Sequence, residues 1–219
     1  MKNDTFQEFP KMARLSRECI ITEKIDGTNA QIFIAHAEEP PFIPKEAIFA
    51  WTDTAGRLCY MMAGSRTRWI TPEADNFGFA AWAQQNAEEL TKLGTGRHFG
   101  EWWGMGIQRK YGMSERRFSL FNVSRWCMND DDPQVIPSAD PRVVKMQERL
   151  PKCCYLVPVL RRGIFTTDMA ESALHELCQR GSLAAPGFMK PEGIVVFHVA
   201  GNVGFKKTIE KDDEPKGKH

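Results

Sequence analysis

Short apolar runs bounded by turn residues recur along this chain, and they predict a protein richer in strands than in helices. The run Cys19-Ile20-Ile21 predicts a buried strand near the amino terminus. Further strands are predicted at 30–35, 47–52, 58–63, 97–102, 118–124, 155–160, 193–199 and 202–208. Many short strands with few helices are typical of an α+β domain built on antiparallel sheets.

Two segments carry apolar residues close to helical spacing, and a glycine directly follows each of them. The first spans 76–93, with Asp75 or Asn76 as its N-cap. The second spans about 169–180, and Asp168 is its predicted cap.

Length and composition fit a single domain. A chain of 219 residues with 42% hydrophobic content can bury a full core. The longest polar interruption, Met128–Pro133, is interpreted as an acidic surface loop within one fold. We therefore expect one domain over residues 1–207, followed by a charged tail at 208–219.

The amino-terminal residues Met1–Thr5 are polar, and neither a signal-type apolar segment nor a membrane-length apolar stretch follows them. We expect a soluble monomer in the cytoplasm, or in the host cytoplasm if the source is viral, with no membrane partner. The cysteines show no C-x-x-C spacing and lie in apolar segments, which favours reduced core thiols over metal or disulfide roles. They are Cys19, Cys59, Cys127, Cys153, Cys154 and Cys178.

The net charge of +1 says little, but basic residues occur in local pairs. Such pairs are commonly solvated, yet a few of them converging on one side would form a surface for a nucleic-acid backbone, with modest and salt-sensitive affinity. The pairs are Arg66/Arg68, Arg109/Lys110, Arg116/Arg117, Arg161/Arg162 and Lys206/Lys207.

The segment Glu23-Lys24-Ile25-Asp26-Gly27-Thr28-Asn29 is the most informative in chemical terms. A lysine amine attacks an electrophile only when neutral, and burial or nearby positive charge can favour that state. We expect Lys24 at the mouth of a strand pair, between the buried strand before it and the strand after the Asp26-Gly27 turn. The alternative is a solvated hairpin turn in which Asp-Gly only provides the backbone angles.

Five further segments follow this one in order, and the series resembles the motifs of covalent nucleotidyltransferases, which comprise ATP-dependent RNA and DNA ligases and mRNA capping enzymes. The Gly27-Thr28-Asn29 continuation is most similar to RNA ligases of the phage T4 RNA ligase 2 type. The resemblance extends from Glu23 to Lys207. The segments are Ser65–Arg68, Phe99–Gly104, Phe118–Val123, Pro191–Val196 and Phe205–Lys207.

The resemblance implies an ATP-grasp-like ligase adenylylation core, in which antiparallel sheets and a few helices surround a nucleotide cleft. It also implies that residues 1–207 are the nucleotidyltransferase domain, and no C-terminal OB or helical domain is evident beyond them. The implied cofactors are ATP, whose AMP becomes covalently attached to Lys24, and Mg²⁺ or Mn²⁺.

Residue roles carry over motif by motif. Glu101 matches the glutamate that binds the nucleotide ribose, and Glu192 matches the one that holds the divalent cation, for which a carboxylate oxygen is suited. Phe121 matches the aromatic residue that stacks on adenine. Strand alternation places Phe121 with Val123 on one face, and Leu120 with Asn122 on the other.

The remaining carried-over positions concern the phosphates. Arg66 matches a substrate contact, while Glu23 and Asn29 flank the nucleophile as nucleotide-binding positions. Lys206 follows Phe205 as the first lysine of the last motif does, and on a strand only one of Lys206 and Lys207 can enter the cleft. The family pattern is Lys-x-Lys, so Lys207 would serve as the second lysine only through a local bulge. Asn122 replaces the aspartate that many ligases have, which leaves one charge fewer near the cleft.

The activity that the resemblance implies is the sealing of RNA in three phosphoryl-transfer steps. Lys24 takes AMP from ATP, the AMP moves to a 5′-phosphate end, and a 3′-hydroxyl displaces it. The implied partner is RNA with such ends, a nicked duplex included, in RNA repair, and DNA is kept as an alternative partner. A minimal DNA ligase, a guanylyltransferase and a non-catalytic nucleotide-binding or nucleic-acid-binding module are the alternatives.

Overall fold

Two β-sheets carry the fold, and the residues of both line one cavity. A computed structural model of the protein describes residues 8–9, 11–38, 42–126, 150–210 and 212. The predicted acidic loop Met128–Pro133, Cys127 and the polar segment Met1–Thr5 lie outside the described residues.

The smaller sheet has the strand order β11-β10-β1-β9, and all of its pairs are antiparallel. The larger sheet has the order β3-β4-β2-β6-β7-β8, with β5 paired to β4. The strands are β1 (Glu18–Lys24), β2 (Thr28–His36), β3 (Ala47–Thr52), β4 (Leu58–Ser65), β5 (Trp69–Ile70), β6 (Gly96–Gly104), β7 (Arg116–Leu120), β8 (Cys154–Leu156), β9 (Val159–Ile164), β10 (Gly193–His198) and β11 (Val203–Thr208).

The described helices are short apart from one. None of them is long and apolar enough to cross a membrane. They are α1 (Phe79–Gln85), α2 (Ala87–Leu90), α3 (Val123–Trp126) and α4 (Thr167–Arg180), with 3-10 turns at Pro72–Ala74 and Thr91–Leu93. The α+β class and the antiparallel architecture are confirmed, except that β8 joins β7 in parallel.

The helix α4 packs its apolar side on the smaller sheet. Ala170, Ala173 and Leu177 are buried there, in one cluster with strand residues such as Ile21 and Ile194. The helix starts two residues earlier than the sequence indicates, because the cap is not Asp168 but Thr166, whose hydroxyl accepts a hydrogen bond from the Met169 amide at 3.1 Å.

The predicted helix over 76–93 is broken. Phe77 and Gly78 have left-handed backbone angles, so α1 begins at Phe79. Asn86 then interrupts it at φ −106° and ψ 15°, and its side chain donates to the Trp82 carbonyl at 2.8 Å, in competition with the helical backbone. Asp75 still acts as a cap, because its carboxylate accepts hydrogen bonds from amides of the first turn of α1.

The single strand predicted at 155–160 is two strands in different sheets. Pro158 lies between β8 and β9, has no N–H to give to a sheet, and its carbonyl accepts a hydrogen bond from the Glu23 amide at 2.9 Å. The prediction at 118–124 was also too long. The strand β7 ends at Leu120, and the chain enters α3 at Val123.

The carboxyl end of the chain extends the fold further than the predicted boundary at residue 207. Thr208 is the last residue of β11, and the Ile209 amide donates to the Glu192 carbonyl at 2.9 Å. Arg109 lies 3.7 Å from Glu210. The first residues of the predicted tail therefore pack on the domain.

The described cysteines are free thiols in different environments. Cys19, Cys59 and Cys154 are buried, and Cys153 is half-buried. Cys178 is exposed on α4, so the prediction of a core position is wrong for this residue: its helix turns only one side to the sheet.

Candidate active site

Lys24 lies where the chain crosses from one sheet to the other. It is the last residue of β1 in the smaller sheet, and β2, which follows, belongs to the larger sheet. The strands on either side of Asp26-Gly27 therefore do not pair, which corrects both the expected strand pair and its hairpin alternative. Gly27 is needed for close approach, because a Cβ atom there would lie 2.5 Å from the Trp102 carbonyl oxygen.

The Lys24 ammonium forms an ion pair inside this crossing. Its Nζ lies 2.5 Å from Oε2 of Glu192, and their side chains are 19% and 5% exposed. Lys24 pairs with Gly193 at the start of β10, so sheet register brings the two charges together from 168 positions apart. Few water molecules can reach this pair, which strengthens the interaction between the charges.

Glu101 provides a second carboxylate beside Lys24. It stands opposite Asn29 in the β2–β6 pairing, and it accepts hydrogen bonds from the Gly27 amide at 3.0 Å and from Asn29 Nδ2 at 3.1 Å. Burial raises the pKa of Glu101 to about 7, and the charge of Glu192 acts in the same direction, while Lys24 and the Gly27 amide lower it. The ribose-binding position predicted from the sequence is thus a buried carboxylate with its backbone support in place.

A loop to which the sequence assigned no role supports the Asp26-Gly27 turn that follows Lys24. The Tyr111 hydroxyl oxygen accepts the Asp26 amide hydrogen at 2.8 Å, and Arg109 Nε donates to the Asp26 carboxylate at 3.1 Å. Gln108, Lys110 and Tyr111 all have positive φ angles, between 42° and 60°. Such angles are strained for non-glycine residues and are found where surrounding structure enforces them. In sequence, only the basic pair Arg109/Lys110 drew attention to this loop.

Glu23 has its carboxylate partners within the protein. One oxygen accepts the Ser182 hydroxyl at 2.5 Å, and the other accepts the amides of Leu183 and Ala184 at 2.8 and 3.0 Å. Burial raises the pKa of Glu23, and these hydrogen bonds oppose the rise. Glu23 lines the cavity, but its carboxylate holds the 182–184 turn against β1.

The crossing opens into a cavity of about 890 Å³ between the sheets. This volume lies within the range of cofactor pockets. Most of the site residues predicted from the sequence line this cavity. They come from both sheets and from the segment between β7 and α3. These residues are Glu23, Lys24, Asn29, Arg66, Glu101, Phe121 and Lys206.

Phe121 reaches the cavity by a different route from the one predicted. Its amide donates to the Phe99 carbonyl at 2.9 Å just after β7 ends, and its side chain is 41% exposed. Strand alternation does not apply beyond Leu120, so Asn122 and Val123 line the cavity together with Phe121. The exposed phenyl ring is available for stacking.

Lys206 and Lys207 point in opposite directions, as alternation predicts. Lys206 lines the cavity, whereas Lys207 Nζ lies 2.7 Å from Glu171 on α4. The β10–β11 register runs without a break through these residues, so no bulge turns Lys207 toward the cleft. The structure therefore does not place Lys207 with the predicted catalytic residues.

Most of the predicted basic pairs are used inside the fold. Arg161 and Arg162 pair with carboxylates, and Arg68 and Arg116 donate to backbone carbonyls. The cations that line the cavity besides Lys24 are Arg66, Arg97 and Lys206. Arg97 was missed because no lysine or arginine lies next to it in the sequence.

The family of the chain is decided by a family model described as RNA ligase, which matches residues 17–210. The chain belongs to the RNA ligase family. The match covers both sheets, Lys24, Glu101, Glu192 and Lys206, so the family assignment rests on the domain as a whole. A comparison with curated proteins finds no match.

Solved structures of a Naegleria gruberi RNA ligase show the same fold. One variant without ligand is 17% identical with a TM-score of 0.51, over 88% of this chain and 50% of that one. A variant with ATP and manganese is 17% identical with a TM-score of 0.52, over 90% and 51%. A variant with AMP and manganese is 16% identical with a TM-score of 0.51, over 89% and 50%. The chain spans about half the length of these structures.

A divalent cation suits the oxygen donors around Lys24. Glu192 and Glu101 are both buried, and the charge of Glu192 disfavours ionisation of Glu101. Two crowded carboxylates are a hard-oxygen donor set, which Mg²⁺ and Mn²⁺ prefer. The residues of this RNA ligase family member thus fit the cation that the fold implies, with Glu192 as the predicted ligand.

Another group of potential metal ligands lies at the opposite end of β2. Ligand atoms of His36, Asp53 and Cys59 lie within 4.8 Å of one another. Asp53 already accepts hydrogen bonds from the Arg57 side chain and from two amides, and burial raises the pKa of the Cys59 thiol. These groups form a hydrogen-bonded cluster, and a thiol that keeps its proton is a poor metal ligand.

Proposed function

We propose that this chain is the catalytic part of an ATP-dependent RNA ligase of the phage T4 RNA ligase 2 type. It would join 5′-phosphate and 3′-hydroxyl ends through a lysyl-AMP intermediate and an adenylylated 5′ end, in RNA repair. The observation that carries the proposal is the buried Lys24–Glu192 pair at 2.5 Å, which opens into a cavity of about 890 Å³.

Lys24 has a proton acceptor beside its amine. Its ammonium must lose a proton before attack, and Glu192 Oε2 is the acceptor already in contact with it. The freed Nζ would form a bond to the α-phosphorus of ATP, and the bond from that phosphorus to the pyrophosphate oxygen would break. A bound divalent cation would offset the negative charge of the phosphates.

The other cavity residues would bind the nucleotide. Phe121 would stack on the adenine ring, and base–aromatic stacking contributes about 1–3 kcal/mol per base. The Glu101 carboxylate would accept hydrogen bonds from the ribose hydroxyls. Arg66 and Lys206 line the cavity, so their side chains are available to bind phosphate.

Asn29, which follows the Asp26-Gly27 turn, would help to fix the position of Lys24 for attack. Asn29 donates a hydrogen bond to Glu101, so a movement of the proposed ribose-binding carboxylate would also move the turn next to Lys24. Holding the reacting groups in place contributes most of the rate in phosphoryl transfer, because little covalent work is left to the protein. We expect the covalent step to depend on this local network.

The test is incubation of the purified protein with α-labelled ATP, and separately with α-labelled GTP, in the presence of Mg²⁺. Label from ATP should stay on the wild-type chain in a denaturing gel and be absent from Lys24→Ala. Label from GTP alone would contradict the proposal and indicate capping chemistry. Intact-mass measurement before incubation identifies protein that was purified with the nucleotide already attached.

The proposed substrate is tested separately. Nicked substrates whose 3′-hydroxyl strand is RNA or DNA would be sealed side by side, and RNA should be sealed faster. Equal or faster sealing of the DNA strand would refute the RNA preference and leave the lysyl-AMP proposal intact.

A further inference from the structure

The face of the larger sheet that lines the cavity continues outward past the proposed nucleotide site. Arg97, Phe99 and Glu101 alternate along β6, so their side chains share this face, and all three line the cavity. Residues two apart on a strand lie about 7 Å from each other. Phe99 therefore lies one such distance from Glu101 along this face, and Arg97 lies two.

The Arg97 guanidinium is supported by aromatic rings. It lies 4.6 Å from the ring centre of Phe33 and 5.3 Å from that of Trp69, and these two rings are 5.9 Å apart. Its Nη1 donates to Gln31 Oε1 at 3.1 Å, and Gln31 in turn donates to the Ser65 carbonyl at 3.4 Å. Cation–π contacts of this kind attract the guanidinium to the ring faces, and Arg97 is exposed, so a ligand can reach it.

The charge of Arg97 has no carboxylate partner among the described residues. Its hydrogen-bond partner, Gln31, is neutral. Arg117 is a useful contrast within the same sheet: it lies 4.6 Å from the ring of Tyr155, but it also pairs with Glu115. An arginine that is fixed in place without charge compensation is suited to an anionic ligand.

Phe99 adds an exposed ring next to this charge. It is 50% exposed although it lines the cavity, and it stands opposite Gln31 in the β2–β6 pairing. Gly64 makes room for Gln31 beside it, because a Cβ atom at Gly64 would lie 2.7 Å from the Gln31 side chain. Exposed rings and arginine planes are the surfaces on which unpaired bases stack.

We propose that Phe99, Arg97 and Gln31 form a binding site for an unpaired polynucleotide strand. One base stacks on Phe99, and the adjacent phosphate is bound by Arg97, with Gln31 holding the guanidinium. This inference rests on the proposed function, because it assigns a position to the strand whose end would be joined near Lys24.

The test is fluorescence anisotropy with a labelled single-stranded RNA of about 12 nucleotides that carries a 5′-hydroxyl, without ATP. Arg97→Ala should bind more weakly and lower the slope of log affinity against log salt by about 0.7, as loss of one phosphate contact predicts for single strands. Phe99→Ala should weaken binding about tenfold with an unchanged slope. Arg117→Ala is the matched control and should bind as the wild type does.

Wild-type affinity in both Arg97→Ala and Phe99→Ala would overturn the inference, and so would an equal loss in Arg117→Ala. Displacement of the RNA by polyglutamate as effectively as by unlabelled RNA would also overturn it, because the site would then select only for negative charge. Phe99 is half-exposed, so Phe99→Ala should fold, and it tests the inference even if Arg97→Ala does not fold. The assay needs neither ATP nor a ligatable end, so its result is independent of Lys24 adenylylation.

Discussion

Ionisation of Glu101 should make the folded protein less stable as the pH rises. The pKa of this carboxyl is about 7 in the fold, against an ordinary value of 4.5, chiefly because the group is buried. Each pKa unit corresponds to about 1.4 kcal/mol. Ionising Glu101 in the folded chain therefore costs about 3 kcal/mol more than in the unfolded chain.

The direction in which stability changes with pH follows from proton binding. Between pH 4.5 and about 7 the folded protein keeps the Glu101 proton, while the unfolded chain has lost it. Stability is thus highest below pH 4.5 as far as this group is concerned, and it falls until the folded group has titrated near pH 7. Glu23, whose pKa burial also raises, acts in the same direction.

The comparison with Glu101→Gln isolates the effect. The amide keeps an oxygen for the Gly27 N–H but cannot ionise, and its mismatch with Asn29 adds an offset that does not depend on pH. Urea unfolding of both proteins between about pH 4 and 8 should show the wild type losing about 3 kcal/mol relative to the variant. Curves that stay parallel across this range would refute the reasoning, since Glu23 contributes equally to both.

Three further predictions test the site. Tyr111→Phe leaves the half-buried Asp26 amide without its acceptor, which should cost about 1–3 kcal/mol in urea unfolding and slow labelling by ATP. Unchanged values would contradict the role of Tyr111 in supporting the turn after Lys24. Lys206→Ala should lower the labelling rate by at least about tenfold, as loss of a charged hydrogen bond predicts. Lys207→Ala should label at a rate within about twofold of the wild-type rate, because Lys207 pairs with Glu171 outside the cavity. The reverse order would contradict the assignment of Lys206 to the cavity. Gly27→Ala puts a Cβ atom 2.5 Å from a carbonyl oxygen and should lower the free energy of unfolding by about 1–3 kcal/mol, so a neutral result would show that the crossing can relax.

The sequence was sufficient for the fold class because burial imposes a regular pattern on strands. β3 coincides with the predicted 47–52, and β4 and β10 differ from prediction by only a residue or two at one end. Errors arose where tertiary contacts override the pattern. Asn86 breaks α1 from α2 through its side chain, and Pro158 separates two strands that are continuous in apolar character.

The candidate site shows a similar division. The motifs predict roles for Lys24, Glu101 and Glu192, but the closeness of these side chains depends on sheet register between strands far apart in the chain. Tyr111 could not be recognised, because its role comes from left-handed backbone angles that no sequence pattern encodes. Arg97 could not be recognised either, because the rings beneath its guanidinium come from other strands.

The central claim is that Lys24 becomes covalently bound to AMP, and peptide mapping tests it most directly. The protein is incubated with ATP and Mg²⁺, digested, and its modified peptide is sequenced by mass spectrometry, with Lys24→Arg as the matched variant that keeps the positive charge. The account predicts an adenylylated peptide with the modification on Lys24 and none in the variant. Modification at another lysine, or an unmodified Lys24 in folded and active protein, would contradict the account.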